Sequence, residues 1–307
     1  MFSKFLDPKN DVAFKKIFGT EKNQDILIHF LNDILEFSGS KQIQSVRFLS
    51  PIQDPEIAYK KQSIVDVLCQ DSEGTKYIIE MQVAQSKGFE KRAQYYAAKA
   101  YSQQANQGDD YRDLKEIIFI AIANCVLFPD KTHYKSDHVI LDRDNGAHDL
   151  KDFSFTFIEL PKFTKDSPDQ LESIIEKWCY FFKHAAETGP EALEKLIGQD
   201  TVIKKAYDAL DQFYWTEEEL MRYERELKRV RDNAAVLSYA TETGIEKGMQ
   251  QGLQQGLQQG LQQGLQQGKK QATLKIAQQL FANGIERKMV KASTGLSDEE
   301  LDMLPPL

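Results

Sequence analysis

The segment EIIFIAIANCVLF (116–128) limits the fold of this chain more than any other, because Ile117 to Ala123 offer no polar side chain to either side. A short run that is apolar at almost every position reads as a strand with both faces covered. The surrounding pattern supplies the cover. Val12, Phe14, Ile17 and Phe18, then Ile26, Leu27, Phe30, Leu31, Ile34 and Leu35, recur at helical spacing over residues 11–37, with an interruption near Gly19 and Thr20. IQSVRFLS (43–50) is strand-like, SPIQDPEIAYKK (50–61) is turn-rich or irregular, and FSFTFIEL (153–160) alternates like another strand. A polar helix rich in Ala and Tyr is expected over 86–107, and a helical pattern runs from Pro168 to about Ala235. The class is α/β, a mixed central sheet flanked by helices, followed by a helical C-terminal extension.

Two apolar segments, SIVDVLC (63–69) and KYIIEMQV (76–83), flank the turn-forming QDSEGT and predict a β-hairpin. Period two puts Ile64, Asp66 and Leu68 on one face of the first strand, and Ile78, Glu80 and Gln82 on one face of the second. A turn centred near Glu73 sets Asp66 opposite Glu80, and a slip of one residue would break that pairing. Acidic residues between apolar neighbours can simply face solvent. They can also hold Mg²⁺, which takes oxygen ligands and keeps several waters, so that two carboxylates plus phosphate oxygens suffice. Such an ion activates water and neutralises charge in phosphodiester hydrolysis. Gln82 could position water or phosphate but carries no charge.

The ordered blocks DVAFKKIFG, ILIHFLNDIL, SIVDVLC, YIIEMQV, RAQYYAAKAY, IIFIAIANCVLF and FTFIELPKF together resemble the PD-(D/E)XK nuclease family of transposases, the recombination-promoting nucleases. The resemblance runs from near Phe5 to roughly Ala235. It implies a restriction-endonuclease-like core that cleaves DNA with Mg²⁺, for which Mn²⁺ can substitute, in a prokaryotic mobile or recombination-promoting element. By position, Asp66 matches the first metal-binding aspartate and Glu80 the second acidic residue. Val65 stands where the motif's proline would be, and Gln82 where its lysine would be. A neutral amide gives less electrostatic help than lysine, so positive charge is sought on the following helix, at Arg92 or Lys99. Both are also candidate DNA contacts, with Gln94 and Tyr95 beside them. On that helix Tyr95 and Tyr101 could instead pack on the sheet. Asp11 is a further candidate for the site, or else a helix cap or first-turn carboxylate.

Other features yield less. His133, His138 and His148 lie among Asp130, Asp137, Asp142 and Asp144 in a predicted loop, at spacings that match neither a zinc finger nor HExxH. DRDNG (142–146) resembles a shortened calcium loop without its terminal Glu. Cys125 is assigned to the buried strand. Cys69, Cys125 and Cys179, odd in number and far apart, suit a reducing cytoplasm. No phosphate-binding glycine loop indicates a nucleotide cofactor, and no apolar run is long enough to span a membrane. A formal charge of −8 argues against a basic coat for nucleic acid but not against a nuclease with a locally basic groove.

The last part of the chain changes character. Five copies of [Leu/Met]QQG begin at Met249, within a ladder of seven glycines from Gly244 to Gly268, one every fourth residue. Four residues advance an α-helix by about 400°, so the Leu stripe drifts about 40° per copy and a left-handed heptad coil is disfavoured. The ladder is a semi-flexible helical linker or a homo-oligomer contact. After it, turns at Asn283-Gly284 and Thr294-Gly295, with Ser297 and Glu300 forming a capping box, predict two or three short helices resembling a helix-turn-helix. Their acidic end suits protein contact as well as DNA. Residues 1–235 are thus read as the nuclease-like domain, 236–270 as the repeat and 271–307 as a small helical end. The function expected is a Mg²⁺-dependent DNA endonuclease. The alternatives are a catalytically weak DNA-binding protein of the same fold, and a structural partner organised by the repeat.

Overall fold

The computed structural model describes residues 4–53, 63–105, 110–198 and 200–304. It divides into two compact units, Met1–Val230 and Arg231–Leu307.

In the first unit the strands are β1 (Val46–Phe48), β2 (Ile52–Gln53), β3 (Ser63–Ile64), β4 (Val67–Asp71), β5 (Lys76–Gln82), β6 (Ile117–Ala123), β7 (Lys135–Val139) and β8 (Phe153–Glu159). Six of them form one mixed sheet in the order β1-β4-β5-β6-β8-β7, while β2 and β3 pair separately. β5, β6 and β8 run parallel; β1, β4 and β7 join antiparallel. The helices of this unit are α1 (Asp11–Phe18), α2 (Gln24–Ile34), α3 (Phe89–Ser102), α4 (Ile174–His184), α5 (Pro190–Ile197) and α6 (Thr201–Leu210), and α7 (Glu217–Ala282) begins in it.

The apolar run of β6 is explained by its two neighbours. Ile118, Ile120 and Ile122 join Phe14, Phe18, Phe30, Trp178 and Phe182 in one core, while Ile117, Phe119 and Ala121 join Phe89, Ala93 and Ala97 in another. One helical layer thus contains α1, α2, α4 and α6, and the other is α3. Alanines at 93, 97 and 100 give α3 a thin face, which lets it lie close on the sheet.

The structure departs from the sequence reading in four places. SIVDVLC is not one strand: β3 and β4 are separated at Val65 and Asp66. Val65 is buried with Leu68 in the α3-side core rather than with Val67, so the alternation breaks beside the acid. The strand expected over 116–128 ends at Ala123, leaving Cys125 only half-buried beyond it. The polar segment expected as a loop contains the edge strand β7, whose Asp137 accepts a hydrogen bond from Thr156 Oγ1 at 2.7 Å. Finally, α3 packs through Phe89 and its alanines; Tyr95 is exposed, and Tyr101 stacks on Phe153 with its hydroxyl on Asp152. Most of SPIQDPEIAYKK lies outside the described residues.

In the second unit the glycine ladder is helical, with Met249, Leu253, Leu257, Leu261 and Leu265 exposed. α8 (Arg287–Thr294) and α9 (Asp298–Asp302) follow. Ala277, Val290, Leu296 and Leu301 make a small separate core. Gly284 and Gly295 turn with φ of +77° and +70°, values that favour glycine, and the Ser297–Glu300 capping box is formed.

Candidate functional site

The hairpin register does what the turn arithmetic requires. Val67 pairs with Ile79 and Leu68 with Ile78, so one step beyond the ladder Asp66 stands across from Glu80. The two carboxyls are locked by reciprocal main-chain bonds: Asp66 N–H donates to Glu80 Oε1 at 3.1 Å, and Met81 N–H donates to Asp66 Oδ2 at 2.8 Å. The break between β3 and β4 frees the Asp66 N–H from the ladder for this purpose.

These acids line a cavity of about 430 Å³ with Asp11, Gln82, Arg92, Tyr96, Asn124 and Arg229. Glu80 is only 6% exposed. Burial, and next the charge of Asp66, push its carboxyl up to about 8. Burial likewise raises Asp66, against the opposing effects of the Met81 N–H and Lys15. Two nearby acids in a poorly solvated place cannot both ionise freely without a cation.

Asp11 lies in the first turn of α1. The cap itself is Asn10, whose side chain accepts from Val12 N–H. Lys15, one turn along, reaches Asp11 Oδ1 at 2.7 Å and Asp66 Oδ1 at 3.7 Å. Burial disfavours its charge, yet Asp11, Asp66 and Glu80 outweigh that and raise its pKa. Gln82 and Arg92 come together, Arg92 Nη2 donating to Gln82 Oε1 at 2.5 Å. Lys99, two turns along α3, is not among the residues that line the cavity.

Residues 8–240 match the family model described as PD-(D/E)XK nuclease family transposase. The chain belongs to that family. A second model, the C-terminal HTH domain of the Rpn/YhgA-like nuclease family, matches residues 270–305 of this family member. No curated protein and no solved structure matches the chain.

The donor set of this PD-(D/E)XK family member suits a hard divalent cation. Glu80 Oε2 has no hydrogen-bond partner among the described residues, while Oε1 and Asp66 Oδ2 are fixed by the main chain. Among the described residues there is no group of three or more His, Cys, Asp or Glu side chains arranged to hold a metal. The remaining ligands would therefore be water and substrate oxygens, as Mg²⁺ accepts.

Sequence reasoning missed Lys15, Asn124 and the beginning of α7 as parts of this transposase-family site. For Lys15 the signal was the i,i+4 spacing from Asp11. Asn124 continues the β6 register, its N–H donating to Gln82 O at 2.8 Å. The start of α7 carries no such signal. It is tied down by Tyr223, whose hydroxyl accepts from Asp7 N–H and whose carbonyl accepts from Asn10 Nδ2, and this places Glu226 and Arg229 on the cavity wall.

Proposed function

We propose that this protein is a divalent-metal-dependent DNA endonuclease, with Asp66 and Glu80 as metal ligands and with Asp11 and Gln82 beside them in the site. The observation that carries this reading is the interlocked pair of carboxyls. Two acids are held in a poorly solvated cleft where burial raises the pKa of both and the charge of Asp66 raises that of Glu80 further, an arrangement costly for stability and suited to a cation. Mg²⁺, or Mn²⁺ in its place, would polarise the scissile phosphate and ease loss of a proton from the attacking water. The chain's own groups orient the reaction. Asp66 and Glu80 are fixed by main-chain donors, Lys15 braces Asp66 against Asp11, and Arg92 offers charge to the DNA backbone. Lys99 is left as a contact outside the cavity.

The HTH-type end supports DNA as the partner, in a mobile or recombination-promoting element of a prokaryotic cytoplasm. No helix among the described residues is long and apolar enough to cross a membrane. The exposed Leu stripe suits either a helical spacer between the domain at 1–235 and the end at 271–307, or a contact between copies.

The test is incubation of supercoiled plasmid with pure protein in Mg²⁺, in Mn²⁺ and in chelator. Nicking or linearisation in either metal, abolished by chelator, is expected. DNA binding without cleavage in both metals would instead identify a catalytically weak binder of the same fold.

A further inference from the structure

Three cations line the cavity: Lys9, Arg92 and Arg229. Two of them face carboxylates of their own. Lys9 Nζ lies 2.9 Å from Asp7 Oδ1, and Arg229 meets both oxygens of Glu226 at 2.5 and 2.8 Å. Arg92 forms no ion pair among the described residues. Its acceptor is the neutral amide oxygen of Gln82, at 2.5 Å, and a neutral acceptor leaves the guanidinium charge uncancelled.

The rest of Arg92 is held by packing. Its guanidinium carbon lies 4.8 Å from the Phe89 ring centre and 5.9 Å from that of Tyr96, both within reach of a cation–π contact. Nε is buried without a partner. A guanidinium has five N–H groups; with one on Gln82 and one sealed at Nε, three at the Nη atoms have no protein acceptor among the described residues. Gln82 is itself fixed, since its amide nitrogen donates to Ala84 O. A cation with free donors, clamped by a neutral group beside two acids, is built to meet an anion that arrives from outside.

We propose that Arg92 is a catalytic residue of this site, contacting the scissile phosphate, and that Gln82 is the positioning residue that holds it there. The proposal rests on the nuclease reading above. In hydrolysis, the water oxygen bonds to phosphorus and the bond to one bridging oxygen breaks. One proton leaves the water and one reaches the departing oxygen. Negative charge on the non-bridging oxygens is greatest between these events, and the Nη donors of Arg92 would meet it there. The strand thus contributes the clamp, and the helix contributes the charge.

The test is steady-state plasmid cleavage in Mg²⁺ by R92Q, R92K, Q82A and the double variant R92Q/Q82A, each checked by thermal melting. R92Q should lower kcat by about 10²–10³-fold with a smaller change in KM, and R92K should recover part of the loss. Q82A should cost less than R92Q and add nothing to it in the double variant, because Gln82 acts through Arg92. If R92Q fails to fold, Q82A and R92K carry the test, since both keep a cation over Phe89. A normal kcat in R92Q with only KM raised, or losses that add in the double variant, would overturn the assignment. Should wild-type protein bind DNA without cutting it, the nuclease reading falls and the phosphate contact is judged by binding. R92Q should then reduce the slope of log Kobs against log salt by about 0.9, and an unchanged slope overturns the contact too.

Discussion

At the scale of single residues, Glu80 is the most strongly perturbed group of the site. Its carboxyl holds a proton up to about 8, against 4.5 for the ordinary group, because it is buried and faces Asp66. A carboxyl that binds its proton more tightly in the folded chain contributes stability that is whole below about pH 4.5 and is lost as pH rises to about 8. Metal-free protein should therefore melt at lower temperature at pH 9 than at pH 6. E80Q keeps an acceptor for the Asp66 N–H, so it should flatten that slope and melt higher than wild type at pH 9. Scanning calorimetry at the two pH values checks this; an E80Q slope as steep as wild type would show that Glu80 is not its source. Lys15 should act in the opposite sense. K15M leaves Asp11 and Asp66 facing each other without a counter-charge, and should lower the melting temperature at pH 7 more than at pH 4, because burial raises the pKa of Asp66 and acid neutralises it.

At the scale of elements, the sequence was legible where one physical requirement dominated. β6 was readable because both its faces are buried, and the Asp66–Glu80 register because the turn fixes the count. Legibility failed where tertiary contacts decide. The edge strand β7 exists because β8 offers it a ladder, although its own residues are polar. The break before β4 serves the Asp66–Glu80 bonds, which period two cannot reveal. Arg92 was visible as a cation near the site, but its pairing with Gln82 depends on how closely α3 lies on the sheet. That closeness comes from alanines: Ala97 is fully buried against the sheet. A97L should overpack this layer and cost about 1–3 kcal/mol, displacing Arg92 and so lowering both the denaturation midpoint and the cleavage rate. The glycine ladder makes the opposite case. A Cβ added at Gly256 or Gly260 would meet nothing within 4 Å, and alanine is about 1 kcal/mol better than glycine in a helix interior. G256A/G260A should therefore raise helicity and thermal stability by circular dichroism. A loss of stability instead would show that another helix approaches the glycines closely.

At the scale of the whole molecule, the match to the nuclease-family model ends at residue 240 and the HTH match begins at residue 270, so the ladder lies between the two matched segments. Protein ending at Ala240 should retain metal-dependent cleavage, since every residue lining the cavity precedes Arg231. Sedimentation of this truncated chain beside the full chain distinguishes a spacer, which leaves both monomeric, from a contact between copies, which only the full chain would show. The central claim is that the interlocked pair Asp66 and Glu80 supports hydrolysis, and the direct measurement is the rate of Mg²⁺-dependent cleavage of supercoiled plasmid by wild type, D66A and E80A. The account predicts cleavage by wild type and a loss on the order of 10²–10³-fold or more in each variant, with all three proteins folded. Cleavage that survives both substitutions would contradict it.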